Sequence, residues 1–536
     1  MYENIYIRYN IVQKVTDKRK GDAFTIDTFN QSVEKKFDTQ SYWIDSMPLT
    51  CFPKLESNIH VDVAIVGGGL CGITTAVLLK QAGIDVCVIE AKTVAQRTTG
   101  HTSAKITSQH NLIYNTLISN FGMEKARQYA EANQAAIEKI KRLINKYNID
   151  CDFSPQNAYV YTENENNITK LEKEVEAALK LGLPAHFTTQ MYLPFSPKGG
   201  MCFTGQAQFH PRKYVVGLAK TLDHPNAIFE KTRVLDISEG TPHTLITENG
   251  KVTANQVIVT SHFPFINRNG LYFIKMHTER SYIIGLHTKQ PRIQGMYISA
   301  DNPTRSFRIQ RTSEGDMVML GGESHRTGNG KSTFPHYAAL EHYAKILYKD
   351  PRILYRWSTQ DCIPLDNVPY IGHYSDNTET LYVGTGFKKW GMTSATVAAM
   401  IISDLILKKE NPWVDVFNSS RATPKASATQ FVMQGAAVTA NYVTRALTLP
   451  TKHVEDISYG EGKIVTHEGE KVGIYKDNEG KLHAVSPICT HMGCQLKWND
   501  AEKSWDCSCH GSRFTYQGDV IESPTVKALE TYDIEL

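Results

Sequence analysis

Gly67-Gly68-Gly69-Leu70-Cys71-Gly72 constrains this chain more than any other stretch, because of what flanks it. The run VDVAIVGGG (61–69) is apolar, rich in β-branched residues and ended by glycines, as a buried parallel strand is. ITTAVLLKQAG (73–83) has helical spacing and a glycine stop, and IDVCVIE (84–90) reads as a second strand. A G-x-G-x-x-G turn inside a βαβ unit is a dinucleotide-binding arrangement. Gly67 permits the tight turn, Gly69 lets a pyrophosphate approach the backbone at the helix N-terminus, and Gly72 allows helix and strand to pack closely. Glu90, 18 positions past the last glycine, is placed to accept hydrogen bonds from the adenosine ribose hydroxyls. The spacing alone does not choose between FAD and NAD.

A chain of 536 residues is too long for one such unit, and two or three domains are expected. Its 58 basic and 55 acidic side chains leave a net charge of +3, so there is no electrostatic case for nucleic acid. The N-terminus lacks an apolar signal core, and no stretch of about 18 residues is free of strongly polar side chains. The nearest approach, 431–449, carries Gln434, Asn441 and Arg445 and reads as an amphipathic helix. A cytoplasmic protein without a membrane span is expected. Residues 1–40 read as a loosely held extension, 41–420 as the dinucleotide-binding part with an interleaved substrate domain, 421–453 as linker and helix, and 454–536 as a small β domain. Amphipathic helices are expected over 123–147 and 168–181. VIVT (257–260), RSYIIGLHT (280–288) and MVMLGG (317–322) suggest one antiparallel sheet. LYVGTG (381–386) reads as a core strand followed by a helix over 393–409.

Cysteine usage divides the chain further. Six cysteines are scattered, whereas Cys489, Cys494, Cys507 and Cys509 fall within 21 residues. They interleave with histidines as a C-x-H pair, Cys489 and His491, and a C-x-x-H pair, Cys507 and His510, with 15 residues between the pairs. Four such ligands could hold zinc or a 2Fe-2S cluster. Zinc sites usually keep pairs of like residues. Mixed pairs on two Gly-containing loops suit a Rieske centre, in which two thiolates hold one iron and two imidazoles the other.

Several ordered segments carry a resemblance. The run from Val61 to Ala91, the loop RTTGHTSAKIT (97–107), DCIPLDNVPYIG (361–372) and LYVGTGFKKWGMTSA (381–395) together resemble the D-amino-acid oxidase-like, glutathione reductase-type FAD enzymes. The resemblance implies an α/β dinucleotide-binding layer with an antiparallel-sheet substrate domain and noncovalently bound FAD. It further implies flavin contacts at Gly100, His101, Thr102 and Ser103, at Val234, and at Gly386, Phe387, Gly391, Met392 and Thr393. CTHMGC…CSCHGS resembles the cytochrome bc-type Rieske signature. That resemblance implies Cys489, His491, Cys507 and His510 as ligands of a 2Fe-2S cluster in an all-β domain, and a disulfide between Cys494 and Cys509. Ser512 matches a position that donates a hydroxyl to cluster sulfur in high-potential members, whereas Phe514 stands where they have tyrosine. A potential below the top of the Rieske range of about −150 to +300 mV follows.

Together these features resemble bacterial FAD-dependent oxidoreductases with a C-terminal Rieske domain. The implied activity is oxidation of a small, amine-bearing substrate, with electrons leaving singly through the cluster to an external acceptor. Tyr282, Arg308, Arg311 and His325 are candidate substrate contacts, and Lys388, Lys389 and Trp390 are expected beside the flavin ring. Two alternatives are an NAD(P)H-linked electron-transfer reductase and a redox sensor. The first needs a second dinucleotide fingerprint, and GGESHRTGNG (321–330) lacks the strand and helix that would make one.

Overall fold

Valine, isoleucine and alanine dominate the strands of the first sheet because both of its faces are covered. A computed structural model describes residues 39–223, 225–330, 332–423, 427 and 453–534. The helix expected over 431–449 lies outside them, as does the extension expected over 1–40 except for its last two residues. In the first sheet, Ile59–Val66 pairs in parallel with Val86–Ile89 on one side and Lys251–Val259 on the other. Leu381–Thr385 extends it in parallel beyond Lys251–Val259, and Ile228–Phe229 does so beyond Val86–Ile89. Tyr370–His373 closes one edge in the antiparallel sense.

This arrangement corrects the placement of VIVT. Val257, Ile258 and Val259 lie between Ile59–Val66 and Leu381–Thr385 in the parallel layer, not in the antiparallel sheet. All three are buried, and a strand covered on both faces is continuously apolar instead of alternating. Helices Leu70–Gln81 and Gly391–Ile406 cover the sheet. Nine of the twelve residues of Leu70–Gln81 are buried, so the helix has no polar stripe and its place is internal.

The second sheet does contain the other two segments. Met276–His287 runs antiparallel to both Arg352–Pro364 and Gly315–Arg326, and Gly315–Arg326 pairs onward with Arg305–Thr312. Met296–Ser299, Ser154–Thr162, Gly199–Gln208 and Lys105–Ile106 continue the sheet. The helix expected over 123–147 begins earlier, as Tyr114–Tyr147, with a break at Gly122 (φ 83°, ψ 169°). Its start is held from another helix: the buried carboxylate of Glu174 accepts the backbone N–H groups of Tyr114 (2.6 Å) and Asn115 (3.1 Å), which have no partner within the helix.

Residues 462–532 form two four-stranded antiparallel sheets. Leu496–Asn499, Ser504–Cys507, Arg513–Thr515 and Val520–Glu522 make the sheet that carries the cysteine–histidine loops. Among the described residues no helix is long and apolar enough to cross a membrane.

Candidate functional site: two joined centres

A cavity of about 690 Å³ opens where the C-terminal ends of Ile59–Val66 and Val86–Ile89 meet the second sheet. Gly67 adopts φ +114°, and a Cβ there would lie 2.8 Å from Thr260 O. Only Thr99 Oγ1, at 3.3 Å, would meet a Cβ on Gly69, whose other side is free for a ligand. A Cβ on Gly72 would come within 2.0 Å of Gly67 O, so this glycine sets the helix-to-strand distance and does not line the cavity. Glu90 lines it, with Oε2 accepting Gly68 N–H at 2.7 Å and Oε1 accepting Lys92 N–H at 2.8 Å. Burial raises its pKa, and the two amides oppose that rise.

The structure brings Gly67, Gly69, Glu90, Thr102, Ser103, Val234, Phe387, Gly391 and Met392 to the lining of one cavity. Gly100, His101, Gly386 and Thr393 stand behind that lining. A Cβ on Gly100 would meet Ala95 O and Ile44 at 2.7 Å, the His101 ring nitrogen Nδ1 lies 3.0 Å from Arg97 O, and Thr393 Oγ1 donates to Thr107 O at 3.1 Å. A Cβ on Gly386 would meet Pro364 at 2.7 Å.

The candidate substrate contacts separate. Tyr282 and Arg308 reach the cavity. Arg308 is buried and donates to Ser103 O (3.0 Å) and Ala104 O (2.9 Å), pinning the flavin-side loop to the second sheet. His325 lies behind Tyr282, with Nε2 2.9 Å from its hydroxyl. Arg311 is exposed and does not reach the cavity: its position along Arg305–Thr312 turns it away from the face that carries Arg308. Lys388 and Trp390 line the cavity, and Trp390 stacks on His110 at 4.9 Å between ring centroids. Burial, with Lys389 adding to it, lowers Lys388 to about 8.

Lys105 and Asp361 also line the cavity, although the sequence reading gave them no role. Burial lowers Lys105 to about 7, and its ammonium donates to Tyr297 O and Ser306 Oγ. Lys105 lies within 97–107 and Asp361 within 361–372, and a titratable side chain inside such a segment is the signal the sequence offers. Ile521, Glu522, Ser523, Thr525 and Val526 complete the wall from the C-terminal β region, and no motif announced them.

The second centre lies on two loops. Cys489 N–H donates to Cys494 O (2.8 Å) and Gly493 N–H to Cys489 O (2.9 Å). In the partner loop Cys507 N–H donates to Ser512 O (2.8 Å) and Gly511 N–H to Cys507 O (3.0 Å). The sulfurs of Cys494 and Cys509 are bonded across the loops, with their Cα atoms 6.6 Å apart. Cys489 and Cys507 are free thiols, 2% and 1% exposed, within hydrogen-bonding reach of each other. The rings of His491 and His510 stand 5.0 Å apart, nearly perpendicular. Nδ1 of each is buried and, among the described residues, has no hydrogen-bond partner. Two buried thiols and two bare imidazole nitrogens on facing loops are the donor set that a Rieske cluster requires. The glycine cradle and long cavity fit FAD in the same way.

The family described as DAO, FAD dependent oxidoreductase, matches residues 62–405, and the Rieske [2Fe-2S] domain matches residues 448–533. The chain is 41% identical over 498 residues to YhfW of Bacillus subtilis (strain 168), provisionally named a Rieske 2Fe-2S iron-sulfur protein, covering 92% of this chain and 98% of that one. It is 24% identical over 387 residues to the gamma-glutamylputrescine oxidoreductase of Escherichia coli (strain K12), covering 69% and 89% of the two chains. In fold it is similar to glycine oxidase from Geobacillus kaustophilus, with a TM-score of 0.58 at 19% identity over 68% of this chain and 99% of that one. The chain therefore belongs to the DAO family of FAD-dependent oxidoreductases, carries a C-terminal Rieske domain, and has FAD and a 2Fe-2S cluster as its cofactors.

Proposed function

We propose that this oxidoreductase removes two electrons from a small amine-bearing substrate in the FAD cavity and passes them singly through its own Rieske cluster to an external acceptor. The observation that carries this reading is the shared wall: Ile521, Glu522, Ser523, Thr525 and Val526, from the Rieske half, line the cavity of the flavin half. The name of the Escherichia coli relative, a gamma-glutamylputrescine oxidoreductase, supports an amine as substrate class. In this reading FAD supplies hydride acceptance and the cluster supplies one-electron carriage.

The chain's own groups have definite parts in it. Gly67, Gly69, Glu90 and Val234 would hold the dinucleotide end of FAD. Thr102, Ser103, Phe387, Gly391 and Met392 hold the ring end. Cys489, His491, Cys507 and His510 hold the cluster, with the Cys494–Cys509 bridge clamping their loops. Lys388 keeps a cation in the ring-end wall, where negative charge gathers on reduction. Lys105, whose burial leaves part of it neutral at neutral pH, is the cavity group suited to take the proton that an ammonium must lose before oxidation. We take the parallel layer as glutathione reductase-type, the domains as 41–420 and 454–536 joined through 421–453, and the site of action as the cytoplasm.

Anaerobic mixing with a panel of amines, NADH and NADPH tests the reading. Amine-dependent bleaching of the flavin, followed by bleaching of the cluster absorbance, is expected. Bleaching by NADPH and by no amine overturns it.

A further inference from the structure

The loop that follows Lys251–Val259 is a partition between the two centres. Ser261, His262 and Phe265 face the flavin cavity. On its other side Phe263 places its ring 6.4 Å from that of His510, and Phe273, a few residues on, does so at 5.9 Å. Between these two aromatics in sequence, Asn267 Oδ1 stands 3.0 Å from His491 Nε2. The histidine edges of the cluster site thus face the flavin half of the same chain.

The chemistry of this contact is directional. Nδ1 of His491 is buried and, among the described residues, has no hydrogen-bond partner, so it is the nitrogen left for iron. An imidazole that gives Nδ1 to a metal carries its remaining proton on Nε2, which can then only donate. The amide must therefore turn its oxygen, not its nitrogen, to the ring, and it does so here. An acceptor on the outer N–H of a ligating histidine fixes the ring's orientation and raises its basicity. A more basic ligand favours the ferric over the ferrous cluster and lowers the reduction potential.

We propose that Asn267 is a positioning residue for the Rieske cluster: through His491 the flavin half of the chain sets the orientation of a cluster ligand and the cluster's working potential. The proposal rests on reading Cys489, His491, Cys507 and His510 as the ligands. It deepens the proposed electron path, because the cluster then has its working potential only when docked against its electron donor. Asn267 does not line the flavin cavity, so its effect on the cluster is separable from flavin binding.

Potentiometric titration of the full chain with both cofactors tests this in wild type, Asn267→Leu and Asn267→Asp, following the cluster by EPR and the flavin by absorbance. Asn267→Leu removes the acceptor and is expected to shift the cluster's one-electron equilibrium toward reduction about tenfold, which is about 59 mV upward. Asn267→Asp strengthens the acceptor at nearly constant shape and is expected to shift it downward, with the flavin midpoint unchanged in both. Altered g-values in Asn267→Leu are the accompanying sign of a reoriented ligand. Wild-type cluster potentials in both variants, or shifts of the same sign, overturn the proposal while leaving the ligand set standing. A wild-type protein without a 2Fe-2S signal overturns the ligand set and this proposal with it. The aspartate variant keeps the test readable if the leucine variant fails to fold.

Discussion

Phe514 is fully buried in the same small core as Cys489 and Cys507, and its ring carries no hydrogen-bond donor. Ser512, buried beside it, lies within hydrogen-bonding reach of the Cys489 thiol. Hydrogen bonds to cluster sulfurs stabilise the reduced, more negative state and raise the potential. Phe514→Tyr is therefore expected to raise the cluster midpoint by tens of millivolts, about the span that one tenfold step in the equilibrium represents. Redox titration of the two proteins checks it, and an unchanged midpoint would contradict it. Asp361 offers a pH-dependent test in the flavin half. Burial pushes its carboxyl up to about 6, with Lys389 opposing and Glu279 reinforcing the rise. Its value in the unfolded chain is about 3.9. The folded state thus binds this proton more tightly than the unfolded state, and the stability it contributes is complete below about pH 4 and lost as pH rises through about 6. Asp361→Asn should be more stable than wild type at pH 8, by at most about 3 kcal/mol for a shift of about two units, and should show no advantage at pH 4. Denaturant unfolding at the two pH values measures the difference.

At the scale of elements, the strand–turn–helix from Ile59 to Gln81 depends on one missing side chain. A methyl group on Gly72 would sit 2.0 Å from Gly67 O, a backbone atom that cannot swing aside. Overpacking of this kind costs about 1–3 kcal/mol, and here it displaces the helix N-terminus that a pyrophosphate would meet. Gly72→Ala is expected to purify with less than about a tenth of the wild-type FAD content, while its cluster absorbance per chain is kept. Equal flavin content would refute this role. This unit was legible in the sequence because its period, its glycines and its acidic strand end are all local. VIVT was misplaced for the opposite reason: a short apolar run is the same whether its partners are parallel or antiparallel, and the partners of Val257–Val259 lie more than a hundred residues away in both directions. The beginning of Tyr114–Tyr147 was missed because Gly122 interrupts the helical pattern, and because its cap, Glu174, comes from another helix.

For the whole molecule, the joint between the halves is a buried charge network. Arg280, from the second sheet of the flavin half and 1% exposed, reaches Glu502 at 2.9 Å and Asp506 at 3.6 Å in the Rieske half. Arg513 binds the same two carboxylates at 2.6 and 2.9 Å and Glu522 at 3.2 Å. Burial alone would raise Asp506, but Arg513 and Arg280 outweigh it and hold the carboxyl down to about 2. Removing one partner from such a network strands a buried charge and costs about 3–5 kcal/mol, whereas removing both sides costs far less. Arg280→Met is expected to slow flavin-to-cluster electron transfer at least tenfold in stopped-flow mixing with substrate. Arg280→Met with Glu502→Gln is expected to recover much of that rate. A single variant with the wild-type rate would show that the network does not hold the halves together. Nothing in the sequence pointed to this joint. The cysteine–histidine loops stood out in the sequence because thiols and imidazoles at paired spacings have few other uses, but Asn267 and Arg280 belong to no motif and meet His491 and Glu502 from more than two hundred residues away. Gly511 shows how close the joint is: a Cβ there would lie 2.4 Å from Thr278 Oγ1 and 2.8 Å from Gln360 Nε2. Burying Cys489 and Cys507 in the core of the Rieske half also puts an order on the making of the protein. Iron and sulfide must reach the two thiols before this core closes, so a domain that closes empty can be filled only as fast as it reopens. Cluster reconstitution of such a chain is then first order in protein and indifferent to the concentration of iron.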